Sequence, residues 1–343
     1  MRALPGTVRI GVVGLGYWGP NLVRNLYELP EAELVAVCDL ARERLARIGR
    51  RYPDVPRTTS YADLLEDRNV EAVAIATTVG THFDLAKAAL DAGKHVLVEK
   101  PLASSSQDAL ALTEWADARH LVLMPGHTFL YSPPVNLVRD LIHADELGDI
   151  YFVSSSRVNL GLHQPDVSVI WDLGPHDFSI LRYWLGEAPS SVSATSRGCV
   201  MPSMPDVAFV NLGFPSGTIA NVHLAWLAPT KLRQTVVVGS RKMVVYDDGS
   251  REPIRIHDSG AVLEDPETFG EYRLTYRTGS IISPPIDASE PLAIELRDFC
   301  RAIREDVEPI SSAQIGLDVV EMIEAVEQAI GEPGLIVGVG RGQ

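Results

Sequence analysis

Gly14, Gly16 and Gly19, spaced G-x-G-x-x-G between an apolar run and a helical pattern, constrain this chain more than any other feature. The run Val8–Val13 reads as a buried strand, and Pro20–Leu29 as a helix. In that setting Gly14 permits a tight strand-to-helix turn. Gly16 lets a pyrophosphate approach the backbone, and Gly19 lets helix and strand pack closely. The helix N-terminus offers unpaired N–H groups and a partial positive charge to phosphates. Pro20 suits a first helical position, where its missing N–H costs nothing. Tyr17 and Trp18 lie inside this turn and join the glycines as expected cofactor contacts. A second apolar strand, Leu34–Cys38, ends at Asp39, about 20 residues on, where an acid meets the adenosine ribose hydroxyls. A carboxylate there repels a 2′-phosphate, so the expected cofactor is NAD. NADP is less favoured, although Arg42 and Arg44 close behind soften its exclusion.

The rest of the first third alternates strand and helix patterns. Further strands read at Ala72–Thr77, His95–Val98 and Leu121–Met124. Ser60 and Ser105 each precede an acid three residues on (Asp63, Asp108), a capping-box-like pair that opens a helix. Gly93 and Gly186 suit the ends of two helices. Alternating β and α with short apolar strands implies a parallel sheet covered on both faces. After Gly126 the pattern changes to helices followed by strands with hairpin signals between Ser191 and Tyr276. Two closing helices follow near Pro291–Arg304 and Ala313–Ile330, with a loop at Ile281–Ser289 and a frayed tail at Gly338–Gln343. The expected fold class is therefore α/β: a doubly wound Rossmann sheet over residues 1–126, then an α+β domain with a large, open, mainly antiparallel sheet over 127–343.

Composition narrows the function classes. A net charge of -15 disfavours nucleic acid and anionic membrane surfaces as partners, since both attract clustered cations. Three cysteines without metal-site spacing argue for a reducing compartment and no disulfide framework. No apolar run reaches the ~18 residues of a membrane span. The first strand follows the N-terminus too closely for a signal peptide. A cytoplasmic location is expected. No metal site is expected, because the second half groups only one histidine with two acids.

In open α/β sheets ligands sit beyond the carboxyl ends of the strands. There the chain offers Thr77, Thr78 and His82 after one strand, and Glu99, Lys100 and Pro101 after the next. A lysine at such an end stabilises the alkoxide that forms as hydride leaves a carbinol carbon; a solvated lysine beside Glu99 is the other reading. Lys100–Pro101 is also a place for a cis bond, found in about 5–6% of such peptides. In the second half, Asp172 and His176 stand four apart on one face of a helix start. Histidine takes a proton from a hydroxyl, and a carboxylate fixes its tautomer. An N-terminal acid on the helix dipole and a satisfied core histidine fit the same spacing. Around this pair, Trp171, Arg157 and Asn159 are candidate substrate contacts, with Tyr131 and His163 behind them. Arg157 suits a phosphate or carboxylate, and equally an exposed strand position. The strand Gly217–Leu227 alternates cleanly, putting Val222, Leu224 and Trp226 on one face, open to a second subunit or to the chain's own helices.

Taken together, Gly14-x-Gly16-x-x-Gly19, Glu99-Lys100-Pro101 and Asp172-x-x-x-His176 resemble the Gfo/Idh/MocA oxidoreductases over nearly the whole chain. The resemblance implies a Rossmann domain plus an α/β domain whose open sheet makes a homodimer or homotetramer. It also implies hydride transfer between NAD(P) and a ring carbinol of a sugar, nucleotide-sugar or cyclitol. By the same resemblance Lys100 contacts substrate hydroxyl and nicotinamide ribose, His176 is the acid/base and Asp172 supports both. The segments Thr78–His82 and His127–Tyr131 depart from the family's usual Pro-Asn and Asn-Arg-Arg, which leaves the substrate open. The run Gly126–Tyr131 and the opening Gly-Tyr-Trp-Gly-Pro-Asn look most like a nucleotide-sugar branch. A cyclitol dehydrogenase is the rival enzyme. The rival of another class is a non-catalytic sensor of NAD and sugar, which expects an eroded acid/base pair.

Overall fold

A computed structural model describes residues 6–161, 167–264, 273–332 and 335–339. His163 and the last residues of the tail, 340–343, lie outside them. The chain divides into two compact units, Met1–Ser132 with Ser289–Glu321, and Pro133–Ala288 with Met322–Gln343.

The first unit opens as β1 (Val8–Val13), α1 (Gly19–Glu28), β2 (Ala32–Cys38), α2 (Arg42–Arg51), β3 (Arg57–Thr58), α3 (Tyr61–Glu66) and β4 (Ala72–Ile75). It continues through α4 (His82–Asp91), β5 (His95–Glu99), α5 (Ser106–Asp117) and β6 (Leu123–Gly126). All six strands pair in parallel in the order β3-β2-β1-β4-β5-β6. This is the doubly wound dinucleotide-binding order, with its reversal between β1 and β4. β4 is buried at every residue (Ala72, Val73, Ala74, Ile75), as a sheet covered on both faces requires. The expected caps are in place: Ser60 Oγ accepts from the Asp63 N–H at 3.2 Å, and Ser105 Oγ from the Asp108 N–H at 3.1 Å.

The second unit holds α6 (Pro133–His143), β7 (Ile150–Val158), α7 (Val169–Leu185), β8 (Ser191–Arg197), β9 (Val207–Gly213) and β10 (Ile219–Ala225). β11 (Leu232–Gly239), β12 (Met243–Asp247), β13 (Ile254–Glu264) and β14 (Arg273–Ile282) complete its strand run. Its described strands form one sheet in the order β14-β13-β12-β11-β7-β10-β9-β8-β15, where β15 is Val337–Gly338. Only β7 and β10 pair in parallel among these neighbours; the others are antiparallel. Val337 and Gly338 pair with Val192 and Ser191, so strand reaches the first residue of the stretch read as a frayed tail.

Two features go beyond the sequence reading, the first by differing from it and the second by deciding between its two alternatives. Residues 289–321, read there with the second domain, group with the first unit, and the division falls inside α9 (Ala313–Gly331). The reason is α8 (Pro291–Glu305), whose Glu295 and Asp298 bond to Thr128 and Tyr131 just beyond β6. Second, Val222, Leu224 and Trp226 are all buried, because α7 lies over that face of β10. The exposed large hydrophobic residues of β7, β9 and β10 are instead Tyr151, Phe152, Phe209 and Ile219.

Candidate active site

In the first unit the three glycines divide the work expected of them. Gly14 has φ +88°, and a Cβ there would meet the Ala76 carbonyl oxygen at 2.6 Å. A Cβ on Gly19 would fall 1.9 Å from the Gly14 oxygen, so α1 can only approach β1 through glycine. Above Gly16, by contrast, a Cβ would find nothing nearer than Arg44 Nη1 at 4.0 Å. That open space at the start of α1, where Pro20 occupies the first turn, fits a dinucleotide pyrophosphate. Tyr17 is 94% exposed beside it, and Trp18 is half-buried.

Asp39 is buried and does structural work in this cradle. Its Oδ2 accepts from the Leu15 N–H at 2.7 Å and its Oδ1 from the Ala41 N–H at 2.8 Å, with Arg44 Nη1 at 3.4 Å. Each carboxylate oxygen can accept twice, and Oδ2 already accepts from Leu15 and Arg44, so the lone pair that remains is on Oδ1. The acid thus fixes the glycine loop to the segment after β2.

Beyond β4 and β5, Thr77 is half-buried, with its methyl against the Gly14 turn, and Thr78 is exposed. His82 does not reach outward. It is 1% exposed, with Nδ1 2.8 Å from the Pro101 oxygen and Nε2 3.3 Å from the Thr77 oxygen. Burial, reinforced by Lys100, holds its pKa below the usual histidine value. His82 therefore ties the loop after β4 to the residue after Lys100, a supporting part rather than a cofactor contact. The Lys100–Pro101 peptide is cis. Tyr131 is likewise removed from the expected substrate contacts. It is 1% exposed, and its hydroxyl donates to Asp298 Oδ2 at 2.9 Å and accepts from the Ser311 N–H at 3.0 Å.

Sequence reasoning missed two groups here. Glu295 of α8 is 0% exposed, and its Oε2 accepts from Thr128 Oγ1 at 2.8 Å. His127 is buried, and neither ring nitrogen has a hydrogen-bond partner among the described residues. A signal for Glu295 existed: it lies on the apolar stripe Leu292, Leu296, Phe299, where an acid is out of place.

In the second unit, Asp172 and His176 lie half-buried one turn apart near the start of α7. Asp172 Oδ2 accepts from the Trp226 indole N–H at 3.1 Å, which anchors the carboxylate to the residue after β10. Pro175 lies between them inside the helix and removes the N–H that would bond the Trp171 carbonyl. The next residue, Asp177, is buried and fastens the helix to the sheet, accepting from Ser155 Oγ at 2.6 Å and Arg157 Nε at 2.5 Å. Arg157 is thus enclosed and paired, which corrects its reading as an anion contact: the charge is engaged by Asp177. Trp171 donates its indole N–H to Glu327 of α9 at 2.7 Å. Asn159 keeps an enclosed side-chain oxygen with no partner among the described residues, beside Trp226.

Comparison with known proteins joins both units. Residues 8–127 match the oxidoreductase family with the NAD-binding Rossmann fold, and residues 135–245 the GFO/IDH/MocA C-terminal domain. The inositol 2-dehydrogenase of Rhizobium meliloti is 25% identical over 337 residues, covering 95% of this chain and 98% of that one. The UDP-N-acetylglucosamine 3-dehydrogenase of Acidithiobacillus ferrooxidans is 30% identical over 223 residues, 63% of this chain and 66% of that one. A solved structure of that enzyme superposes with a TM-score of 0.79 at 26% identity, over 94% of this chain and 97% of that one. The Rossmann strand order, the glycine cradle and the α7 pair thus lie within matched family domains, and the chain belongs to the Gfo/Idh/MocA family of NAD-binding oxidoreductases.

Proposed function

We propose that this enzyme transfers hydride between NAD(H) and a ring carbinol or ketone of a sugar, and that the sugar is carried on a nucleotide. NAD, when bound, accepts the hydride at its nicotinamide ring. The glycine turn and the α1 N-terminus hold its pyrophosphate, and Asp39 its ribose. Lys100, at the end of β5, is the fixed cation on the substrate oxygen as negative charge develops there. His176 takes the hydroxyl proton on oxidation and returns it on reduction. Asp172, held by Trp226, orients the histidine and the substrate.

The observation that carries this reading is the retention of Lys100, Asp172 and His176 together with an open cradle at Gly16. A sensor without catalysis would have no use for the acid/base pair. The nucleotide-sugar preference is supported by the UDP-N-acetylglucosamine 3-dehydrogenase relative. The inositol 2-dehydrogenase relative, aligned over more of the chain, supports a cyclitol as second reading. A panel of UDP-sugars, free sugars and inositols, scored by NAD reduction, separates them. Turnover confined to inositols overturns the nucleotide-sugar reading. Binding of NAD without turnover of any of them, together with cofactor-dependent capture of a partner, favours the sensor.

Self-association through the sheet face is supported by the exposed Phe152, Phe209 and Ile219, the last 61% exposed. Sedimentation of Ile219→Glu against the unaltered protein tests it, with monomerisation the expected result. A cytoplasmic location agrees with three free cysteines. No helix among the described residues is long and apolar enough to cross a membrane.

A further inference from the structure

We propose that Arg44 sets the choice of dinucleotide: by neutralising Asp39 it opens the adenosine ribose position to a 2′-phosphate, so that NADP(H) binds as well as NAD(H). An acid after β2 selects NAD in two ways. It accepts from the ribose hydroxyls, and its unpaired charge repels a 2′-phosphate. Asp39 is poorly set for either. The Leu15 N–H at 2.7 Å and Arg44 Nη1 at 3.4 Å fill Oδ2, and the Ala41 N–H at 2.8 Å takes half of Oδ1. One lone pair is left for a ribose that presents two hydroxyls. The charge is masked as well. The Asp39 side chain is 5% exposed and that of Arg44 51%, so a group arriving from solvent meets the guanidinium first.

Arg44 also borders the phosphate side. Its Nη1 lies 4.0 Å from the position of a Gly16 Cβ, on the rim of the open space that suits the pyrophosphate. Asp39 engages Nη1, and the rest of the guanidinium fork makes no hydrogen bond among the described residues. The fork can therefore take a phosphate without leaving the carboxylate. The neighbouring charges favour the same ligand. Residues 42–57 carry six arginines (Arg42, Arg44, Arg47, Arg50, Arg51 and Arg57), no lysine and two acids, in a chain of net charge -15. All six are exposed. Arg47 Nη2 donates to the Leu15 carbonyl at 3.1 Å, a second guanidinium held against the glycine loop. Asp54 accepts from the Tyr27 hydroxyl at 3.2 Å, and neither it nor Glu43 pairs with a cation among the described residues. These acids do not offset the arginines. Arginine, unlike lysine, presents a planar fork that matches a phosphate.

The inference rests on the reading that puts the adenosine ribose at Asp39, and calorimetry on the full chain separates the two. Wild-type protein is expected to bind NADPH within about tenfold of NADH, with NADPH losing more affinity as salt is raised. A larger preference for NADH overturns the proposal without any variant. Arg44→Ala is expected to weaken NADPH by about ten- to a hundredfold, the loss of a charge-assisted contact, and NADH by less than about threefold. Arg44→Lys, which keeps the charge but not the fork, should fall between. Equal losses of NADH and NADPH in Arg44→Ala, the mark of a residue that only braces the glycine loop, overturn the proposal. Asp39→Asn tests the reading beneath it. If the affinities for NADH and NADPH both ignore that change, the ribose lies elsewhere and both statements fall. If Asp39→Asn alters NADH binding while Arg44→Ala leaves the ratio of NADPH to NADH affinity unchanged, the ribose reading stands and Arg44 is not the determinant.

Discussion

Two buried charged clusters, one in each unit, make opposite use of enclosed acids. In the second unit Asp177 meets Arg157 at 2.5 Å and Ser155 at 2.6 Å, with Thr235 2.9 Å behind the serine. That cluster matches its charges and fastens α7 to the sheet beneath the Asp172–His176 pair. In the first unit Glu99, Glu295 and His127 keep enclosed side-chain atoms with no hydrogen-bond partner among the described residues. The matched cluster holds a helix to its sheet, whereas in the other the acids come from a strand end and a helix far apart in the chain. Placement beside the proposed catalytic residues is common to both; the balance of partners distinguishes them.

The comparison breaks most visibly at Asp177. Asp177→Ala strands the enclosed Arg157 charge, and a loss of about 3–5 kcal/mol in stability is expected from denaturant midpoints. A loss under about 1 kcal/mol would mean that the ion pair does not fasten α7. Next in size is the contrast among the glycines. Gly19→Ala forces a Cβ onto the Gly14 carbonyl and should cost about 3 kcal/mol in the same measurement. Gly16→Ala meets open space, so stability should change by less than about 0.5 kcal/mol. NAD affinity should nonetheless fall about tenfold by calorimetry, about 1.4 kcal/mol. Unchanged NAD affinity in Gly16→Ala would remove the pyrophosphate from that turn. Smallest, Ser105→Ala should cost about 1 kcal/mol with NAD affinity unchanged, because it removes only the cap of α5.

What was legible in the sequence was local. The glycine turn, the serine caps and the αL glycine closing α7 depend on residues within a few positions of each other. What was not legible depends on partners far along the chain. Tyr131 looks like a substrate contact until Asp298, 167 residues later, takes its hydroxyl. Arg157 looks like an anion site until Asp177 takes its guanidinium. His82 faces two carbonyls whose positions only the folded loops define. The resemblance, carried by three short motifs, reached the family but not the substrate, because the departing segments 78–82 and 127–131 lie outside those motifs.

The central claim is that an amine and an imidazole, from separate stretches of the chain, serve one hydride transfer. Its most direct test is turnover by Lys100→Ala and His176→Ala, with NADH binding measured on the same preparations. The account predicts that each variant loses about 10²–10³ in kcat while still binding NADH. Near-native turnover in either variant would contradict the role given to that residue, and in both it would contradict the mechanism.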